Sequence, residues 1–170
     1  MIYEFDIKNI ICKYLFDLKD IINLYNLNRD HQDNIIITNL CDIPDIFLNK
    51  VQVALGQKKF NNVERLNVSY NNKITNINHM HRVQTFGMKE TLKELCCSGD
   101  CSIDQDIIGQ LKLVKLYAYG NDKIKNVNHM KETLEELDCG GNCGIDQGGI
   151  SELKLFKLNS VKNNKIHNVL

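Results

Sequence analysis

The residues of this 170-residue chain best suited to metal or nucleophile chemistry are its seven cysteines and five histidines. Cys97 and Cys101 stand four apart, and Cys139 and Cys143 repeat that spacing. Zinc takes four such ligands in a tetrahedron, with sulfur about 2.3 Å from the metal. His79 and His81 flank Met80 as a second pair, with nothing nearby in sequence to complete it, and His129 stands apart. Gly140, Gly141 and Gly144 crowd together, yet the stretch lacks the spacing and the Lys-Ser/Thr ending of a phosphate loop. Those glycines read as tight turns. No nucleophile–base–acid set can be assembled from spacing, so no enzyme activity and no cofactor are expected. An odd number of cysteines set inside a pattern reads as free thiols in a reducing, intracellular compartment.

Which of these groups can meet depends on the element that carries them, and that element is a repeat. Leu158, Leu137, Leu116 and Leu95 recur every 21 residues, and Leu66 extends the series across an insertion. Five units, beginning at Val63, Leu92, Leu113, Leu134 and Leu155, share one template. Positions 1, 4 and 12 are apolar, position 6 is smaller (Val68, Cys97, Ala118, Cys139, Ser160), and position 9 is Asn or Asp. Positions 3 to 7 alternate with the period of a strand, which turns 4 and 6 inward and 3, 5 and 7 outward. A unit this short cannot bury its own apolar residues and must stack on copies of itself.

The stacking settles the cysteines. The two pairs lie two units apart, roughly 10 Å, too far to share one ion, and the same separation divides His79 from His129. No metal site is expected. Cys97 and Cys139 hold an inward position and act as small apolar residues. At position 9, an asparagine amide both donates and accepts, so Asn71, Asn121, Asn142 and Asn163 are expected to bridge buried backbone. Asp100 shares that column and accepts only, so the stack should be weakest there.

The outward positions form the candidate surface for a protein partner. Position 3 reads Arg65, Glu94, Lys115, Glu136, Lys157, position 5 reads Asn67, Cys96, Tyr117, Asp138, Asn159, and position 7 includes Ser69 and Tyr119. The alternating charges read first as a self-neutralising ladder, since paired charges are less available to a partner. Tyr117 and Tyr119 either anchor a partner or fill the space beside Ser98 and Gly140.

A second order lies above the first. MKETLKEL at 88–95 recurs as MKETLEEL at 130–137, and CSIDQ at 101–105 as CGIDQ at 143–147. The intervening units carry Lys73-Ile74, Lys123-Ile124 and Lys165-Ile166. Duplication of a two-unit block explains this. Asn78-His79-Met80 returns as Asn128-His129-Met130 with eight residues to spare, so residues 81–88 read as an insertion. Ile124, Val127 and Met130 stand three apart, the 3₁₀ spacing.

These five in-register units resemble the leucine-rich repeat over about the last two thirds of the chain. The resemblance implies an α/β repeat solenoid, with short parallel strands on a concave face and 3₁₀ or irregular segments on the convex side. A small helical cap precedes it. Residues 5–27 carry apolar side chains at three-and-four spacing, as amphipathic helices do. In residues 32–62, residues 35–37 read as a strand and 46–60 as a helix, together capping the first unit.

Ile11, Tyr14, Leu15, Ile21, Ile22 and Leu24 give the N-terminal stretch a resemblance to an F-box, although Glu4-Phe5-Asp6 stands where that family opens on Leu-Pro. It implies a substrate receptor of cullin-type ubiquitin ligases, with Ile11, Leu15, Ile21, Ile22 and Leu24 on a Skp-family adaptor. The expected division is therefore 1–31 F-box-like, 32–62 cap and 63–170 repeats. With only three arginines (Arg29, Arg65, Arg82) and abundant Asn and Ile, the chain resembles leucine-rich-repeat proteins of giant DNA viruses of amoebae. That resemblance implies the cytoplasm of a host cell. A formal charge of zero without a basic cluster argues against nucleic acid. No apolar run approaches a membrane span. The last unit reads as open-ended, so self-association through it is expected as one way to cover its edge.

Overall fold

Alternation at positions 3 to 5 makes one short strand per unit, because a polar residue on either side of an inward leucine suits a half-buried sheet. The computed structural model describes residues 39–40, 63–74, 77 and 91–167. In chain order the strands are β1 (Asn39–Leu40), β2 (Arg65–Asn67), β3 (Glu94–Cys96), β4 (Lys115–Tyr117), β5 (Glu136–Asp138) and β6 (Lys157–Asn159). They form one sheet, parallel throughout and in sequence order. Its register sets Leu66, Leu95, Leu116, Leu137 and Leu158 side by side. The expected leucine ladder is therefore the axis of the core.

Leu40 pairs with Leu66 one strand further out. The described sheet thus reaches into the segment read as a cap. The readings of residues 1–31, 35–37, 46–60 and 81–88, and with them Ile11, Leu15, Ile21, Ile22, Leu24, His79 and His81, lie outside the described residues.

Between strands the chain returns through short helical pieces, and two repeats of one motif take different forms. After Ile103 comes a helix, α1 (Gln105–Ile108), whose Asp104 side chain accepts from the amides of Asp106 and Ile107. After Ile145 comes a 3₁₀ turn (Gly148–Ile150), where Asp146 accepts from Gly149 N at 2.8 Å. A third return, the 3₁₀ turn at Asn128–Met130, falls on the three-residue spacing read from Val127 and Met130. Gly149 accounts for the difference, since a Cβ there would overlap Lys125 O. Only a residue without a side chain lets that return lie so close to the preceding unit.

Positions 1, 4, 6 and 12 fill the interior, with Ile74, Ile103, Ile124 and Ile145 fully buried alongside the leucines. In the last unit Leu155 and Leu158 are only partly covered. Position 8, where the sequence reading took only Gly141 for a turn, is left-handed in every unit: Tyr70, Gly99, Gly120, Gly141 and Lys162 have φ of 58°, 67°, 69°, 65° and 62°. That conformation turns the chain out of the strand, and glycine adopts it without the steric cost other residues meet.

The buried column differs from the expectation. Asn71, Asn121 and Asn163 are buried at position 9, but Asn142 is exposed and the Asp100 side chain is 86% exposed. In those two units the next residue, Cys101 or Cys143, turns inward instead and is fully buried. Cys101 Sγ donates to Cys97 O at 3.1 Å. Asp100 therefore lies outside the buried column. It pairs with Lys123 Nζ at 2.8 Å in solvent, and that ammonium holds its carboxyl below the usual range.

Candidate interaction surface

The outward face of the sheet is built by the register itself. Strands β2 to β5 bury position 4, β6 covers its Leu158 only in part, and all five leave positions 3 and 5 exposed or half-buried. Residues far apart in sequence thereby meet as columns. The position 3 column is joined by ions. Arg65 grips Glu94 through Nε and Nη2 at 2.9 and 3.1 Å, and Lys115 Nζ meets Glu136 Oε1 at 2.6 Å. Lys157 reaches the other oxygen of Glu136 only at 4.0 Å. The Lys115 hydrogen bond holds Glu136 below its ordinary value, and Glu136 raises Lys115 in turn. Glu64 and Lys93 continue the pattern at position 2, at 2.8 Å.

Position 5 is a row of short polar groups stiffened from within. Asn67 Oδ1, Asp138 Oδ1 and Asn159 Oδ1 each accept from the amide two residues on, at 3.0, 3.1 and 3.2 Å. Asn159 Nδ2 donates to Asp138 Oδ2 at 3.0 Å, tying two units together. Cys96 and Tyr117 complete the row, both half-buried. The Tyr117 hydroxyl stands 3.5 Å from Glu136 Oε2, and desolvation, with the Glu136 charge behind it, raises its pKa.

Tyr119 lies over the next unit's glycines, where a Cβ at Gly140 would come within 2.9 Å of its ring and one at Gly141 within 3.0 Å. One face of that ring is thus committed to packing, and 38% of the residue stays exposed. Tyr70 lies against Gly99 in the same way. Ser69 and Ser98 link their units directly, Ser69 Oγ accepting from Ser98 N at 3.0 Å.

The four inward thiols belong to the core. Burial raises Cys143 and pushes Cys139 up to about 12, and its hydrogen bond with Cys101, with burial behind it, holds Cys97 well above the usual range. Cys101 is lowered to about 7 by that same bond. His129 Nε2 lies 3.0 Å from Ile108 O, an inter-unit contact rather than a ligand position. Among the described residues no three His, Cys, Asp or Glu side chains converge to hold a metal ion. No helix among them is long and apolar enough to cross a membrane.

The sequence reading missed the staples on the return side. Gln105 Oε1 accepts from Lys125 N and Asn126 N at 2.8 and 2.9 Å, while its Nε2 donates to Asn126 O. Gln147 Oε1 repeats this with His167 N. Asn128 reaches Gly148 O and accepts from Glu152 N. The signal was present in the recurring CSIDQ and CGIDQ and in the recurring Asn-His-Met. No family model matches this chain, and neither a curated protein nor a solved structure matches it.

Proposed function

We propose that the chain is a leucine-rich-repeat solenoid that binds a protein partner across the outward face of its sheet and catalyses nothing. The carrying observation is the register of the parallel strands, which sets positions 3, 5 and 7 of successive units into one continuous polar face over an apolar interior. Such a face offers area and hydrogen bonds without a deep cleft. The charge ladder is largely self-satisfied, so specificity falls to the position 5 and 7 residues, with Tyr117 and Tyr119 as the aromatic anchors. Replacing both tyrosines with alanine should abolish capture of a partner while the far-UV spectrum and melting persist. Undiminished capture by a folded double variant defeats this reading.

The N-terminal resemblance extends the proposal: residues 1–31 dock a Skp-family adaptor and bring the captured partner to ubiquitylation in the cytoplasm. A pull-down with the adaptor, using the chain with and without residues 1–31, tests it, and no retention of the full chain removes the ubiquitin branch alone. The alternative, in which the leading segments only cap the repeats, draws support from β1. That strand continues the sheet in register from within residues 32–62.

A further inference from the structure

The charges of the outward face do not all cancel among themselves. Arg65 is taken by Glu94 and Lys115 by Glu136, while Lys157 leans to the other oxygen of Glu136 at 4.0 Å. Asp138 is the only carboxylate at position 5, and among the described residues it has no ion pair. Its turn does not require the charge. Asn67 and Asn159 at the same position accept the equivalent amide with a neutral carbonyl, at 3.0 and 3.2 Å, where Asp138 Oδ1 accepts from Gly140 N at 3.1 Å. Asp138 Oδ2 accepts from Asn159 Nδ2 at 3.0 Å. Each oxygen of an ionised carboxylate offers about two lone pairs, so both keep room for a further donor. The residue is half-buried, and solvent and salt screen it less than a fully exposed charge.

Two aromatic rings stand around this carboxylate. Tyr117 is its register partner on β4, with the hydroxyl turned to Glu136. Tyr119 lies over Gly140 and Gly141, the second and third residues after Asp138, which begin roughly 7 Å along the strand. The glycines take one face of that ring and leave the opposite face to solvent. An uncompensated carboxylate beside a bare tyrosine face suits arginine, whose planar guanidinium is permanently charged, forks onto carboxylate oxygens and stacks on aromatic rings. Lysine brings a point charge that cannot stack flat. We propose, on the basis of the partner-binding role given to this face, that the protein partner is anchored by an arginine seated on Asp138 and stacked on Tyr119, with Tyr117 as the wall of the seat.

The test titrates the isotope-labelled full chain with N-acetylarginine amide, N-acetylcitrulline amide and N-acetyllysine amide. The resonances followed are the Gly140 amide and the Asn159 side-chain amide, both held by Asp138. The arginine probe should move them saturably and bind about fivefold more tightly than citrulline, its uncharged isostere, which is the scale of one exposed ion pair. Lysine should bind more weakly than arginine. Tyr119→Ala should weaken the arginine probe about threefold, the scale of an exposed cation–π contact, and Asp138→Asn should bring arginine and citrulline level. Citrulline or lysine binding as tightly as arginine on the unaltered chain overturns the proposal, and so does the absence of any movement with arginine. If the probes fail while replacement of both tyrosines still abolishes partner capture, the arginine seat alone is removed; undiminished capture removes the partner-binding role of the face with it.

Discussion

The units led by Val63, Leu113 and Leu155 and those led by Leu92 and Leu134 obey one template, yet they stabilise their turns with different atoms. In the first kind an asparagine at position 9 does the bridging. Asn121 Oδ1 accepts from Lys123 N at 3.0 Å, while its Nδ2 donates backward to Cys97 O and Ile103 O at 3.0 and 3.1 Å. Asn163 repeats the arrangement on Cys139 O and Ile145 O, at 2.7 and 2.9 Å. In the second kind the position 9 residue swings out, and a thiol one place later fills the slot. Contact returns through backbone: Ser102 N donates to Asn71 O and Gly144 N to Asn121 O. A column that looks uniform in sequence is therefore an alternation, with the two-unit block as its structural period. Asn121 and Asn163 each serve two units, so the thiol unit needs no amide of its own.

That contrast can be broken most sharply at Asn121. Asn121→Ala orphans the buried Ile103 carbonyl and the Lys123 amide and leaves Cys97 O only the Cys101 thiol, and at ~1–3 kcal/mol for each buried group left unsatisfied the loss should be about 2 kcal/mol or more in chemical denaturation. An unchanged midpoint would sink the alternating scheme. The thiol units make the next largest prediction, in pH. Cys139 rises from an ordinary 9.0 to about 12 on folding because burial disfavours its thiolate. A group raised in this way contributes fully below pH 9, and its contribution is lost as pH climbs toward 12. Melting temperature should fall across that window, and Cys139→Ala should flatten the fall. A decline that the variant leaves unaltered would assign it elsewhere.

Smaller effects sharpen the same comparison. Cys101→Ala should cost about 1–2 kcal/mol, since it removes a small buried group and its hydrogen bond. Thermal unfolding beside Asn121→Ala gives the ratio. Asn142→Ala should cost no more than ~0.5 kcal/mol, as an exposed substitution does. The same residue type at the same template position as Asn121 would then differ severalfold in weight, and equal losses would restore the uniform column.

Much of the architecture was legible beforehand. The 21-residue return of leucine predicts the neighbours of Leu95, Leu116 and Leu137, because a strand per unit in constant register leaves no other place for them. The ion pairs of Arg65 with Glu94 and Lys115 with Glu136 followed from the same spacing. The staples of Gln105 and Asn128 were present only as unexplained recurrence. Their partners are backbone groups, and backbone carries no residue-specific signal.

What the sequence determined by itself is periodicity: which residues face inward, which stand beside one another, and that each unit must lean on its neighbours. Period is a property of side-chain type along the chain, so it survives in a string of letters. Tertiary structure alone decided which of two adjacent residues enters the core at the end of each strand. Asp100 and Cys101, or Asn142 and Cys143, can each be turned inward by a small backbone rotation. The choice falls to the thiol because the neighbouring unit's asparagine already satisfies the carbonyls there, and a small apolar group packs where a second polar one would lack a partner.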